Sequence, residues 1–393
     1  MRLPWSSLLL LSAAIFVAVT SEFLPIGLLP QMANELGVTE AQIGMLVTVF
    51  AGTVVVATAP LVHVTRALPR KSLLLVLLAV FALANLLAAI APGYAVLLVS
   101  RVLGGAAHGV FWAVVSPYAA RLVAPERLAS AVAIATSGAT LASIAGVPLG
   151  TLLGVAVGWR SSFAVIAVVV VVIALAVAIV LPPVERRSAP DPAAPVVRAR
   201  AFRDATFWPV IVLCVTVALV TLGHATFYTY IAPWVIGVAG FAPASVAGVL
   251  LLFGAAGAVG VAAAGVLGDR FPRGLLPVLL VGVIVSVTAV SAFAAVPPAV
   301  IVFLVLWSAF LGGVPIIFQA RLLRTASESL RDIGSAWLTV AFNVGIGGGA
   351  LAGGLVLETW SLAALPLVTT ACLVVALVMV LVSIPTRRRV AVT

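Results

Sequence analysis

The sequence predicts an all-α polytopic membrane protein, with twelve transmembrane helices in two pseudo-symmetric six-helix bundles. Three observations carry this. Of 393 residues, 64% are hydrophobic and only 8% are charged, whereas soluble domains are about a quarter charged. The apolar residues gather in about a dozen runs, each long enough to cross a bilayer as a helix, and lack the short alternation of a β-barrel. Landmarks also recur at a constant offset of roughly 200 residues: Pro30 answers Pro233, Gly44 answers Gly248, Arg66 answers Arg270, and Gly146 and Gly150 answer Gly349 and Gly353.

The first run opens after Arg2 and looks at first like a signal peptide, but it continues to Leu29. Ser12-Ala13-Ala14 comes too early for a cleavage site, so it reads as a retained first span. That span carries Glu22, the one acidic residue in the interior of any apolar run. A carboxylate at that depth is costly when ionised and is usually kept for a proton, an ion or a substrate. Pro25, Gly27 and Pro30 follow, and are expected to weaken the helix beyond it. Broken helices lining a cavity are typical of transporter sites.

The spans are read at 7–30, 41–62, 72–91, 95–119, 130–154 and 161–182, then at 207–235, 244–267, 274–295, 298–322, 331–357 and 361–384. Residues 1–182 form the first predicted bundle and 207–393 the second. Between them, 183–206 is rich in Pro, Ala and Arg and reads as a flexible linker. Of the 21 lysines and arginines, all but Arg101 and Arg160 fall on one side of the membrane. That side is cytoplasmic by the positive-inside rule, so both termini and the linker are expected there. The net charge of +10 therefore belongs to short loops and not to a nucleic-acid surface. Cys214 and Cys372 lie in apolar runs and lack a metal or redox spacing.

Several motifs carry chemistry. The loop after span eight reads Gly265-Val266-Leu267-Gly268-Asp269-Arg270-Phe271-Pro272-Arg273. An acid at a helix end there can pair with arginines and backbone donors of the next helix and latch one state. The first-half copy keeps Arg66, Arg70 and Lys71 but has Thr65 where Asp269 stands. In span four, Arg101 lies about 9 Å into the helix, at a depth it could share with Glu22. His108, Phe111 and Trp112 follow at i, i+3 and i+4 on one face. Span seven offers His224, Phe227 and Tyr228 at the same spacing, and His224 answers Ser21, one place from Glu22. The two halves are thus expected to present Glu22 and His224 to one central cavity. Gln319 and Asn343 are polar and intramembrane, suited to the cavity or to bridging helices. Span five carries Gly146, Pro148, Gly150 and Gly154, a smooth stripe for close helix contact, mirrored by Gly345, Gly349 and Gly353 in span eleven.

These residues resemble the drug:proton antiporter branch of the major facilitator superfamily. The chain looks most like its bacterial sugar efflux transporters, through Thr20 to Pro30, His108 to Trp112, His224 to Pro233 and Phe342 to Gly349. The likeness covers 1–385. It implies the major facilitator fold and a proton-coupled antiporter of the bacterial inner membrane that exports a small neutral solute by alternating access. A sugar or sugar-like compound is the first expectation; a multidrug, chloramphenicol-type or nucleoside exporter is the alternative. An uptake symporter or facilitator comes next, against which the span-five glycine motif argues. The resemblance links Arg101 with proton transfer and the loops after spans two and eight with gating. Thr65 for Asp, and Gly146-Val147-Pro148 for the family's adjacent Gly-Pro, depart from its pattern.

The expected roles are therefore proton coupling by Glu22 and Arg101, and substrate binding by His108, Phe111, Trp112, His224, Tyr228, Gln319 and Asn343. Gating falls to Arg66, Arg70, Asp269, Arg270, Arg273, Gly146, Pro148 and Gly150. The expected partners are a small-molecule substrate, protons and membrane lipid, with no nucleic acid, for a monomer. No cofactor or metal is expected. An enzyme would need a nucleophile, base or metal cluster at matched depths, and three histidines (His63 at a loop) with one buried acid supply none. A channel would need a ring of charges or a filter-like repeat.

Overall fold

The computed structural model describes residues 3–184 and 204–383. Most of the linker read at 183–206 lies outside the described residues, as do Arg2 and Arg387 to Arg389. Among the described residues, twelve helices are long and apolar enough to cross a membrane. The first six are α1 (Trp5–Leu36), α2 (Glu40–Thr65), α3 (Arg70–Ala89), α4 (Tyr94–Arg121), α5 (Ser130–Val157) and α6 (Trp159–Val180). The second six are α7 (Phe207–Tyr228), α8 (Pro243–Arg270), α9 (Leu275–Ala292), α10 (Pro297–Thr325), α11 (Ile333–Thr359) and α12 (Leu362–Ser383). They form the two six-helix bundles the repeat predicts.

The repeat reappears as packing. Gly146 and Gly150 let α5 lie against Thr20 and Leu24 of α1, and Gly349 and Gly353 let α11 lie against Leu222 to Thr226 of α7 and against Tyr230. Helices in lipid gain their association from such close fits, since lipid tails are as apolar as leucine. The two copies part at α2 and α8. Gly44 accommodates the Tyr230 ring from the other bundle, whereas Gly248 faces open space.

The expected weakening of the first span does not occur. α1 runs unbroken from Trp5 to Leu36 with Pro25 and Pro30 inside it. Pro25 has no N–H for the Ser21 carbonyl, and Arg101 Nη1 donates to that carbonyl instead, at 3.0 Å. The interruptions lie elsewhere. α7 ends at Tyr228 and a short helix, Ile231–Gly237, carries Pro233 in its first turn, where a missing N–H costs nothing. α10 is interrupted at Gly313, ahead of Pro315. α5 contains a π-turn at Ala142–Gly146, just before Pro148, a usual way to absorb a proline's lost hydrogen bond.

The bundles meet toward the arginine-poor end of the spans. Thr48 Oγ1 of α2 donates to the Gly347 carbonyl of α11 at 2.9 Å. Gly254 of α8 lies against the Ser143 backbone of α5, Gly354 of α11 against Ala41, and Leu250 against Gly27. At the same end Arg160 is tied down inside the first bundle. It pairs with Glu35, donates to the Ala91 carbonyl at 2.9 Å and stacks on Trp159.

Candidate functional site

Glu22 is 6% exposed, halfway along α1 and facing α4. Arg101, 4% exposed, reaches the same level, as the sequence predicts. Its guanidinium does not take the carboxylate. It donates to the backbone carbonyls of Ser21 and Glu22, at 3.0 and 2.8 Å, and lies over the Phe50 ring, 4.3 Å from its centroid. Arg101 thereby fixes the α1 backbone under Glu22 and leaves the carboxylate to another partner.

That partner is His108, whose Nε2 stands 3.4 Å from Glu22 Oε2. The same nitrogen accepts the Trp112 indole N–H at 2.8 Å. The i, i+4 spacing on α4 makes this second bond possible. His108 is held edge-on by Phe50 and Phe81, with ring centroids 5.3 and 6.2 Å away. One residue before Glu22, Ser21 Oγ donates to Asn85 Oδ1 at 2.8 Å, and Asn85 Nδ2 donates to the Phe81 carbonyl at 2.8 Å. Phe111 is fully buried and packs edge-on to Phe81 and Trp112; it backs the group instead of facing an opening.

The second bundle holds a different cluster. His224 stacks on Tyr228 at 4.9 Å and on Phe253 at 6.4 Å, with Trp307 edge-on at 5.3 Å. Phe227 stacks on Trp307 at 5.1 Å. His224 Nδ1 and Trp307 Nε1 are both buried without a hydrogen-bond partner in the protein. Among the described residues, no hydrogen bond or ring contact joins this cluster to Glu22 and His108.

The remaining polar candidates are hydrogen-bonded within the second bundle. Gln319 Nε2 donates to Ser335 Oγ at 3.3 Å, linking α10 to α11, and Asn343 Nδ2 donates to Thr339 O within α11 at 3.0 Å. Of the loop residues, Asp269 lies 3.5 Å from Arg324, with its side chain 91% exposed, so its partner comes from α10 and not from the helix that follows. Arg270 sits over Phe271, Arg321 donates to the Arg273 carbonyl at 3.3 Å, Arg66 is exposed and Arg70 begins α3.

Sequence reasoning missed Phe50, Phe81, Asn85, Phe253 and Trp307. A signal existed for two of them. Phe50 and Phe253 stand at the offset of the internal repeat, and each flanks the histidine of its own bundle. Asn85 and Trp307 have no such mark, since one polar or aromatic residue per apolar span is unremarkable until its neighbours are known.

The sequence profile of the Major Facilitator Superfamily matches residues 11–294. A probable sugar efflux transporter of Helicobacter pylori (strain G27) is 31% identical over 348 residues, covering 88% of this chain and 87% of that one. Among solved structures, a D-xylose-proton symporter superposes with a TM-score of 0.78 at 14% identity, covering 98% of each chain. A bacterial homologue of the human lysosomal transporter Spinster, inward-facing and occupied, gives 0.77 at 15% identity, covering 98% of this chain and 97% of that one. At those identities the structures speak for the fold alone. With two six-helix bundles, a buried acid between α1 and α4 and a profile match across most of the chain, this small-molecule transporter belongs to the Major Facilitator Superfamily.

Proposed function

We propose that the protein is a proton-coupled exporter of a small neutral solute, a sugar or sugar-like compound, working by alternating access between its two bundles. The observation that carries this is the Glu22–His108–Trp112 chain. An acid buried in the membrane meets a histidine whose facing nitrogen is shared with an indole N–H. Glu22 carries the proton, and Arg101 positions it through the α1 backbone. When the cleft opens to the proton-rich side, Glu22 takes a proton. When it opens to the cytoplasm, Glu22 releases its proton as substrate binds, because proton and substrate compete for the site. The name of the Helicobacter relative supports export of a sugar.

The second bundle supplies the complement. Sugars offer apolar ring faces bounded by hydroxyls. The flat faces of Tyr228, Phe253 and Trp307 suit the former, and the unpartnered His224 Nδ1 and Trp307 Nε1 suit the latter. His108 and Trp112 form the first-bundle wall, with Gln319 and Asn343 lower in the cleft. The placement of bundle contacts at the arginine-poor end favours a cleft open on the arginine-rich side. That side is cytoplasmic by its charge, in the inner membrane of a bacterium, with both termini there. The domain limits follow as 1–182, 183–206 and 207–393. Arg66, Arg70, Asp269, Arg270 and Arg273 gate the open end, and Gly146, Pro148 and Gly150 let α5 move against α1.

The test is transport by everted vesicles under an imposed pH gradient. The wild type is expected to accumulate a sugar when the lumen is acidic and to stop when an ionophore collapses the gradient. Glu22→Gln is expected to abolish gradient-driven uptake while folding and substrate counterflow survive. Full gradient-driven transport in that variant would remove Glu22 from the mechanism.

A further inference from the structure

A cavity of about 990 Å³ opens at the arginine-rich end of the second bundle, between α7, α10, α12 and the loop that joins α8 to α9. It is separate from both histidine clusters. Its walls are apolar, with Val212, Leu213, Phe318 and Val378 among them, and its rim carries Arg273, Arg321 and Arg324. Among the described residues, Arg324 alone of these three cations has an acidic neighbour, the exposed Asp269 at 3.5 Å. Arg321 makes its bond to a backbone carbonyl, that of Arg273. Among the described residues the rim is therefore positive and incompletely neutralised, above a hydrocarbon-lined recess.

Its depth in the membrane is set by the helix ends. α7 begins at Phe207 and α12 ends at Ser383, so the rim lies at headgroup level. Trp208, 69% exposed, and Val382, 81% exposed, flank the opening. An indole at that level is the usual mark of the membrane interface. Charge also decides against the chain's own segments as occupants. The residues after Ser383 include Arg387, Arg388 and Arg389, and residues 185–203 carry five arginines against Glu185 and Asp191. Both would be repelled by the rim.

We propose that this cavity is a binding site for an anionic glycerophospholipid, with the phosphate between Arg273 and Arg321 and an acyl chain lying along Val212 and Val378. Basic recesses between membrane helices recognise lipid headgroups in this way, and the volume falls at the upper end of the range for specific ligand sites. The inference requires only that the spans cross a bilayer. It does not depend on the transport reading.

The experiment is native mass spectrometry and thermal melting of the full chain in detergent, with phosphatidylglycerol or phosphatidylcholine of the same acyl chains added. Phosphatidylglycerol is expected to be retained and to raise the melting temperature, and phosphatidylcholine to do neither. Arg321→Gln and Arg273→Gln are each expected to weaken retention about five-fold, the worth of one arginine near an anionic headgroup. Arg66→Gln with Arg70→Gln, which removes two charges at the same end of the other bundle, is expected to leave retention intact and shows that the assay reads the site. Equal retention of the two lipids, or equal loss in the Arg66/Arg70 variant, would overturn the proposal. So would equal stabilisation by glycerol 3-phosphate, which has the phosphate but no chain.

Discussion

His108 presents to Glu22 a nitrogen that is already in use: Nε2 stands 3.4 Å from the carboxylate and accepts the Trp112 N–H at 2.8 Å. A ring nitrogen has one in-plane position. While the indole donates to it, Nε2 carries no proton, and a proton between His108 and Glu22 has to sit on the carboxyl. If Nε2 takes that proton, the indole must turn away. The arrangement has two states that differ in where one proton sits and in where one large side chain of the proposed cleft wall points.

Trp112→Phe keeps the ring and removes the donor. Substrate counterflow is expected to persist, while the number of protons moved per substrate falls. The lost bond is worth roughly 1 kcal/mol, which changes the balance of the two states about five-fold. A pH-sensitive dye in proteoliposomes, read against labelled substrate, measures the ratio. An unchanged ratio would make the Trp112 bond a packing detail.

Arg101→Lys tests the backbone clamp. A lysine cannot span the Ser21 and Glu22 carbonyls as the guanidinium does, and it loses the planar contact with Phe50. The expected cost is about 2 kcal/mol, read as a lower melting temperature in detergent. Pro25→Ala restores the N–H that the Ser21 carbonyl lacks, so the loss at Arg101 is expected to be smaller in that background. Additive losses would mean that the two residues are not coupled.

The fold was legible in the sequence because hydrocarbon leaves the backbone few choices; twelve long apolar runs and one offset fix helix number, bundle count and pairing. Glu22 and Arg101 were legible because charges are rare at that depth. Their relationship was not. Nothing in a sequence tells whether an arginine faces a carboxylate or a backbone carbonyl, and here Pro25 decides it by freeing Ser21. Helix continuity was misjudged for the same reason. A proline marks a lost hydrogen bond, but only the neighbouring helix shows whether something replaces it. Tyr230 carries a similar lesson. Its ring fills the gap beside Gly44, and its hydroxyl donates to the Ala350 carbonyl at 2.9 Å, a junction that needs three separated segments to be seen together.

Gly254→Val probes the contact between bundles. A side chain at this position would strike the Ser143 carbonyl and crowd the Ile144 backbone, and a backbone cannot turn aside as a side chain can. The variant is expected to fold, because within its own bundle α8 keeps its packing on α10. It is expected to populate the state in which the arginine-poor end is open. Spin labels at Asn34 and Ala242, with Cys214 and Cys372 replaced by alanine, should report longer distances than in the parent. An unchanged distribution would show that this approach does not hold that end closed.

Asp204 gives a pH dependence outside the membrane. Its carboxylate accepts from Ser327 Oγ at 2.5 Å, from the Thr206 backbone and hydroxyl at 2.8 and 2.7 Å, and from Ser329 Oγ at 3.0 Å. Thr206 in turn accepts the Ser327 N–H at 3.1 Å. These bonds, the Ser327 hydroxyl first, hold the carboxyl well below the usual carboxylate range. A depressed folded-state value means that the ionised form is the stabilising one. The contribution is full above the unfolded value of about 3.9 and is lost as pH falls through the folded value. Asp204→Asn is therefore expected to lower the melting temperature at neutral pH, and the gap from wild type is expected to close as the pH drops below about 4. Hydrogen exchange over residues 326–330, the turn that receives these bonds, should quicken in the variant at neutral pH. A gap between the two proteins that stays constant down to low pH would mean that the bonds at Asp204 owe nothing to its charge.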